Sequence, residues 1–274
     1  MSKKQKETVQ KQFTRTAEAF AKFAVRDTPE VLAEKVEFSK PQPTDLVLDV
    51  ACGSGAFVLA VAPRVRLARG IDLTAEMLRQ AREFQAQRRI TNVAFDCGEA
   101  EQLPYPDATF DLVSCQMSLH HMSKPGLVLK EMIRVAKPDG RLVLMDALSP
   151  EIDSKFDLHN RIERSRDPSH TLSLRLTSFL EMFEENGLEI SKQAVRRRQR
   201  SFHDWMLRAG SKRGDKRYLE TRKLLEDSIS SDGAGYTALL QGDDILIIHN
   251  EGMFLLRKGE GTYGGGQGKV DGRQ

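Results

Sequence analysis

Cysteine is scarce in this chain: three in 274 residues, Cys52, Cys97 and Cys115. They are scattered without metal-ligand spacing. All three fall in or beside predicted strands, as expected of buried thiols in a reducing cytoplasm. Long apolar runs are missing too. No stretch approaches the ~20 residues that a membrane-spanning helix needs. The basic start, Met1-Ser2-Lys3-Lys4-Gln5-Lys6, has no apolar core behind it to make a secretory signal. Net charge is nearly absent, since 42 Lys and Arg against 39 Asp and Glu leave +3. That is too little by itself to argue for nucleic acid. No internal repeat is visible, and the length suits one large domain or two small ones.

What is present is organised around one stretch. Leu46 to Val50 is a short apolar run that reads as a buried parallel strand. It leads into Ala51-Cys52-Gly53-Ser54-Gly55, where two glycines free the backbone from Cβ crowding. A helical segment, Ala56 to Ala62, follows. A strand, a glycine turn and a helix N-terminus make a place where a ligand can lie against bare backbone. The dinucleotide fingerprint G-x-G-x-x-G needs a further glycine three residues on, and none stands there. This counts against the main alternative, a nicotinamide-dependent oxidoreductase.

The remaining elements alternate. Thr8 to Ala24 is helical, with Phe13, Ala17, Phe20, Ala21 and Phe23 near one face. A second helix starts at Asp27 or Thr28 with Pro29 in its first turn and ends before Pro41. Leu67 to Ile71 is a strand ending in Asp72, where a carboxylate can accept both hydroxyls of a ribose. Thr74 caps the next helix, whose Met77, Leu78, Ala81 and Phe84 face inward. Val93 to Asp96, Phe110 to Cys115 and Leu142 to Asp146 are further strands. Between the last two, Leu129, Met132, Ile133 and Ala136 lie at helical spacing, and Lys137-Pro138-Asp139-Gly140 ends that helix. Such alternation means βαβ units and a doubly wound, mostly parallel sheet.

The second half differs. Residues 147–174 are polar without a clean period. Thr177 to Asn186 is an amphipathic helix stopped by Gly187, and Leu188 to Val195 is a sixth strand. Residues 196–242 read as helices and loops around the lone Trp205. Ile245 to Ile248 and Met253 to Leu256 are strand-like runs about a turn at Asn250-Glu251-Gly252. The expected organisation is an N-terminal helical arm over 1–40, a main domain over 41–258 and a glycine-rich, disordered tail over 259–274.

Several motifs stand in a fixed order: Asp49 to Gly55, Asp72, Gly98-Glu99-Ala100 through Leu103-Pro104, Phe110-Asp111, Leu119-His120-His121, and Arg134 to Gly140. In that order they resemble class I S-adenosylmethionine-dependent methyltransferases, most of all the ubiquinone and menaquinone biosynthesis C-methyltransferase group. The resemblance covers roughly residues 8–195. It implies an α/β fold with a seven-stranded Rossmann-like sheet whose last strand, here Met253 to Leu256, is antiparallel. S-adenosylmethionine would lie over the carboxyl ends of the first four strands. The backbone of Ala51, Gly53, Ser54 and Gly55 would meet its methionine part, with Asp49 oriented towards the ammonium group. Asp72 would hold the ribose. Leu73 and Met77 would flank the adenine, with Glu99 and Ala100 at its edge, although Asp is commoner in the family where Glu99 stands. Gln116, past the fourth strand, would contact the cofactor. Phe13 and Phe20 would close over the site, with ordinary core packing as the competing account.

The methyl acceptor implied is a small molecule, aromatic, quinone-like or lipid-like; the alternative of a non-catalytic S-adenosylmethionine-binding protein would show a ruined glycine turn or a lost ribose carboxylate, and neither is seen. The N-terminal arm and the helical lid insertions within residues 147–174 and 196–242, outside the shared core, would hold the acceptor. Cys115-Gln116-Met117-Ser118 lacks the proline-aromatic signature of base-methylating relatives, which argues against a nucleobase. No cysteine follows Cys115 to bind a metalloid. Adjacent histidines do not share a face and no carboxylate or thiol cluster accompanies them, so no metal is expected at His120-His121. His121 is a candidate base, and Asp146 faces the acceptor by position. The run Arg196-Arg197-Arg198-Gln199-Arg200 reads as a solvated strand end rather than a nucleic-acid patch.

Overall fold

A computed structural model of the chain describes residues 1–24 and 29–259, and the side chains of these except 19–24. The side chain of Phe20 and the tail beyond Gly259 lie outside the described residues. The strands are β1 (Leu46–Val50), β2 (Leu67–Asp72), β3 (Val93–Cys97), β4 (Phe110–Gln116), β5 (Ala136–Leu148), β6 (Leu188–Ser201), β7 (Leu239–Gln241) and β8 (Asp244–Lys258). They form one sheet in the order β3-β2-β1-β4-β5-β8-β6, with β7 paired to β8. The first five run parallel; β8 lies antiparallel to β5, β6 and β7. The sheet has eight strands among the described residues where seven were expected. The extra one, β7, is a three-residue exposed strand.

The helices are α1 (Lys3–Ala24), α2 (Pro29–Ser39), α3 (Ala56–Val61), α4 (Ala75–Gln87), α5 (Pro125–Val135), α6 (Asp153–Arg166), α7 (Leu176–Glu185), α8 (Phe202–Arg208) and α9 (Lys216–Ile229). No described helix is long and apolar enough to cross a membrane. The strand period of two sorts the central side chains onto both faces. Val47 and Leu112 pack with Phe57, Val58 and Leu78, whereas Leu48 and Val113 pack with Leu129, Met132 and Phe179. With helices on both faces, β1 is apolar at nearly every position, as parallel strands are. Each fully buried Val, Leu or Phe contributes about 1.5–3 kcal/mol. A third cluster joins Ile162, Phe202, Trp205, Tyr218 and Tyr236 to Ile245 and Ile247. It seats α6, α8 and α9 on the far end of β8.

Residues 147–174 contain α6, whose buried positions include His159, Asn160 and Glu163 rather than an apolar stripe alone. Four expectations are corrected. β6 does not stop at Val195 but continues through the arginine run to Ser201. β8 is continuous, and Glu251, placed in a turn from sequence, is a strand residue only 2% exposed. β5 begins at Ala136, so Lys137 to Gly140 are extended chain opposite a register shift between Phe110 and Leu112. Of the cysteines only Cys115 is buried; Cys97, at the end of β3, is exposed.

Candidate functional site

The cleft lies at the carboxyl ends of β1 and β2. Chain leaving β1 turns at Ala51 with φ +56°, and Gly53 and Gly55 also take positive φ, +55° and +77°. The two glycines serve different ends. A Cβ on Gly53 would meet nothing within 4 Å, because that side is open cleft. A Cβ on Gly55 would strike the Phe95 ring at 2.8 Å. Gly55 is thus a packing requirement of the turn against β3, while Gly53 presents bare backbone. Gly53 N–H donates to Asp72 Oδ2 and Thr74 N–H to Asp72 Oδ1, each at 2.8 Å. Thr74 therefore sits at the cap position without a side-chain capping bond, and the preceding carboxylate occupies its amide instead. Burial raises the Asp72 carboxyl above its usual range, against the pull of these N–H groups.

A cavity of about 210 Å³ opens here. Ala51, Gly53, Ser54, Asp72, Leu73, Met77, Glu99, Ala100 and Gln116 are among the residues that line it. Gln116 Nε2 is buried without a hydrogen-bond partner. Of the sequence candidates, Asp49 and Gly55 do not line the cavity. Asp49 lies behind the turn, 3% exposed, and accepts from Ser114 Oγ of β4. Burial pushes its carboxyl up to about 7. Other motif residues hold the frame. Asp111 accepts from Leu46 N–H at 2.8 Å, and Arg134 binds the carbonyls of Leu103 and Tyr105.

Helix α1 crosses the opening. Lys6 pairs with Glu99, and Gln10 donates to Leu73 O. Gln5 donates to the carbonyls of both His121 and Ser169 at 3.0 and 2.8 Å. Phe13 of α1 meets the His121 ring edge-on, centroids 5.0 Å apart.

A second cavity, about 200 Å³, lies beyond that pair and shares Phe13, Met117 and His121 with the first. The turn after β4 brings His120 and His121 to 4.2 Å between ring centroids, so both face this space, contrary to expectation. Ser169 Oγ donates to Asp167 Oδ1 at 2.6 Å and lies 3.1 Å from His121 Nδ1. With its proton committed to Asp167, the serine accepts from Nδ1–H, which leaves Nε2 as the acceptor of His121. Burial and the neighbouring His120 lower His121 to about 4, so the ring is neutral at pH 7.

Asp146 does not face the acceptor side as position implied. It is 2% exposed and bound to His120 Nδ1 and Ala147 N–H, while Ala147 lines the cavity. Burial alone would raise the Asp146 carboxyl; His120 outweighs it and holds the group below its usual range. No group of three His, Cys, Asp or Glu suited to a metal occurs among the described residues.

Sequence reasoning missed Asp167 and Ser169, which sit in a loop without motif or period. It also missed the inward arginines of β6, for which the alternation 196, 198, 200 was an available signal. Arg196 and Arg198 face Glu251 at 3.1 and 3.7 Å, and Arg197 between them is exposed.

The chain is similar to known methyltransferases. A family model described as a methyltransferase domain matches residues 48–144. An uncharacterized methyltransferase of Bacillus subtilis, YcgJ, is 32% identical over 199 residues, spanning 73% of this chain and 79% of that protein. A demethylmenaquinone methyltransferase of Shouchella clausii is 39% identical over 108 residues, 38% of this chain and 46% of that enzyme. The crystal structure of a putative methyltransferase from Bacillus halodurans superposes with TM-score 0.76 at 28% identity, covering 84% of this chain and 99% of that one.

Proposed function

The chain belongs to the class I S-adenosylmethionine-dependent methyltransferases, and we propose that it methylates a small aromatic molecule seated in the second cavity. The observation that carries this reading is that Phe13, Met117 and His121 line both cavities, so the two adjoin.

The cleft fits the cofactor. Gly53 offers an open cradle, Gln116 Nε2 lacks a partner, and the Asp72 oxygens keep lone pairs beyond their two N–H bonds. In this reading the backbone of Ala51, Gly53 and Ser54 holds the amino-acid end, and Asp72 accepts the ribose hydroxyls. Leu73, Met77, Glu99 and Ala100 enclose the base. Asp49, one layer behind, acts on the amino-acid end through the turn rather than by touching it.

When bound, the cofactor supplies a methyl group activated by a sulfonium, with a neutral thioether as leaving group. The protein's share is alignment, which is worth several kcal/mol when two centres are held in line. Phe13 and Met117 exclude water where the cavities meet. His121 Nε2 takes the proton from an attacking hydroxyl or amine, its ring oriented by Ser169 and Asp167.

Calorimetry with S-adenosylhomocysteine and with NADH tests the reading. The first should bind with one site per chain and the second should give no heat; the reverse result overturns it. A screen of metabolite extracts with methyl-labelled cofactor, read by mass, then identifies the acceptor.

A further inference from the structure

The second cavity is lined by more cationic than anionic side chains. Four guanidiniums line it, Arg166, Arg198, Arg200 and Arg208, against two carboxylates, Glu163 and Asp167. The carboxylates are already engaged: Glu163 with Arg166 and Tyr236, Asp167 with Ser169. Glu251 helps little, since Lys35, Arg196 and Arg198 all crowd it. Arg200 has no carboxylate within ion-pair distance among the described residues, and its strand partner is Ile247. Arg200 Nε and His249 Nε2, both on side chains that line the cavity, are buried without hydrogen-bond partners. Buried polar atoms of this kind are rare in folded proteins and call for a partner. Burial and the neighbouring Arg198, Arg208 and Arg166 lower Arg200 to about 9, the mark of a cation held among cations. None of the arginines lies on the wall shared with the first cavity, where the reacting atoms meet.

We infer that the methyl acceptor is an anion, an aromatic carboxylate or phosphate ester, whose charged group is clamped by Arg200 with Arg198 and Arg208 while its nucleophile lies at Met117 and His121. The guanidinium fork matches carboxylate and phosphate geometry in pairs of parallel hydrogen bonds. Trp205, with the Arg166 guanidinium 4.8 Å above its ring, lines the same space and supplies an apolar wall for the acceptor's body. The inference rests on the proposed transfer to a small molecule in this cavity.

Trp205 is the chain's lone tryptophan, so its emission reports directly on this cavity. The full chain is titrated with benzoate, phenyl phosphate and neutral benzamide, with and without saturating S-adenosylhomocysteine, whose own binding is read by calorimetry. At least one anion should shift the emission saturably, and which one does so separates carboxylate from phosphate. Benzamide should bind at least tenfold more weakly. Arg200→Met should weaken the anion at least tenfold, leave S-adenosylhomocysteine unchanged, and melt no lower than the parent, because a like-charge repulsion has been removed. Arg213→Met, at an exposed surface pair with Asp243, is the control and should change nothing. Should Arg200→Met fail to fold, Arg208→Met is measured the same way. If neither anion outbinds benzamide while S-adenosylhomocysteine binds normally, the inference falls and the methyltransferase reading stands. If S-adenosylhomocysteine itself does not bind, that reading falls and the inference with it.

Discussion

His120 Nδ1 lies 2.5 Å from Asp146 Oδ1, and the same carboxylate accepts the His120 backbone N–H at 3.2 Å. The end of β5 thereby fixes the turn that carries both histidines. Burial works against a charged His120, yet Asp146 raises its pKa above the usual imidazole value. Replacing Asp146 with Asn leaves that ring without its counter-charge. The expected loss is about 3 kcal/mol of unfolding free energy, read by urea denaturation at pH 7, and a His120 proton resonance that titrates below its parent value. An unchanged resonance would detach the pair from the histidine's charge.

The two glycines of the first turn should separate stability from binding. Gly55→Ala drives a methyl into Phe95 at a positive φ and should cost about 1–3 kcal/mol. Adding Phe95→Leu should return part of that loss. Gly53→Ala meets no atom in the free protein, so beyond about 1 kcal/mol of backbone strain its effect should fall on the cofactor. S-adenosylhomocysteine affinity should drop at least tenfold by calorimetry. Equal binding losses in both variants would contradict this division.

Asp72 joins the glycine turn to the start of α4 through two backbone N–H groups. Asp72→Ala strands both donors at about 1–3 kcal/mol each and removes the acceptors proposed for the ribose. Asp72→Asn keeps one acceptor oxygen. The melting temperature should therefore fall in the order parent, Asn, Ala, and S-adenosylhomocysteine affinity should fall in both variants. An Asn variant that binds like the parent would take the carboxylate out of the cofactor site.

The raised pKa of Asp49, about 7, makes a signed prediction. The folded protein holds this proton between about pH 4 and 7 while the unfolded chain has released it. The native state thus binds more protons in that window, and this group's contribution to stability falls as pH rises through it. Asp49→Asn removes the titration and keeps the shape. Its melting temperature should sit near the parent's at pH 4.5 and above it at pH 8. A difference that is the same at both pH values refutes the assignment.

Much of this was legible in the sequence because local pattern and tertiary role coincide in the first half. The apolar run of β1, the glycines after it and the acidic end of β2 each announce their element and their place in the cleft. The second half resists for physical reasons. α6 buries His159, Asn160 and Glu163 against polar partners, so no hydrophobic period marks it. The arginine run hides a strand because guanidiniums pointing inward look, letter by letter, like guanidiniums pointing out. Asp167 and Ser169 serve His121 from a loop that only folding brings near. Asp49 and Gly55 sit in the motif yet face away from the cavity, supporting the turn from behind.

The arginine stripe of β6 has one further consequence. Because Arg196, Arg198 and Arg200 share one side of the ribbon while Arg197 and Gln199 share the other, the pairing with β8 resists a slip of one residue. Sliding by one position would swing three cations into solvent and bring Val195, Arg197 and Gln199 to bear on Glu251 and His249. The residues that give this end of the molecule its chemical character also act as its zipper teeth: the alternation as a whole fixes the register, while a single change such as Arg200→Met leaves two teeth in place.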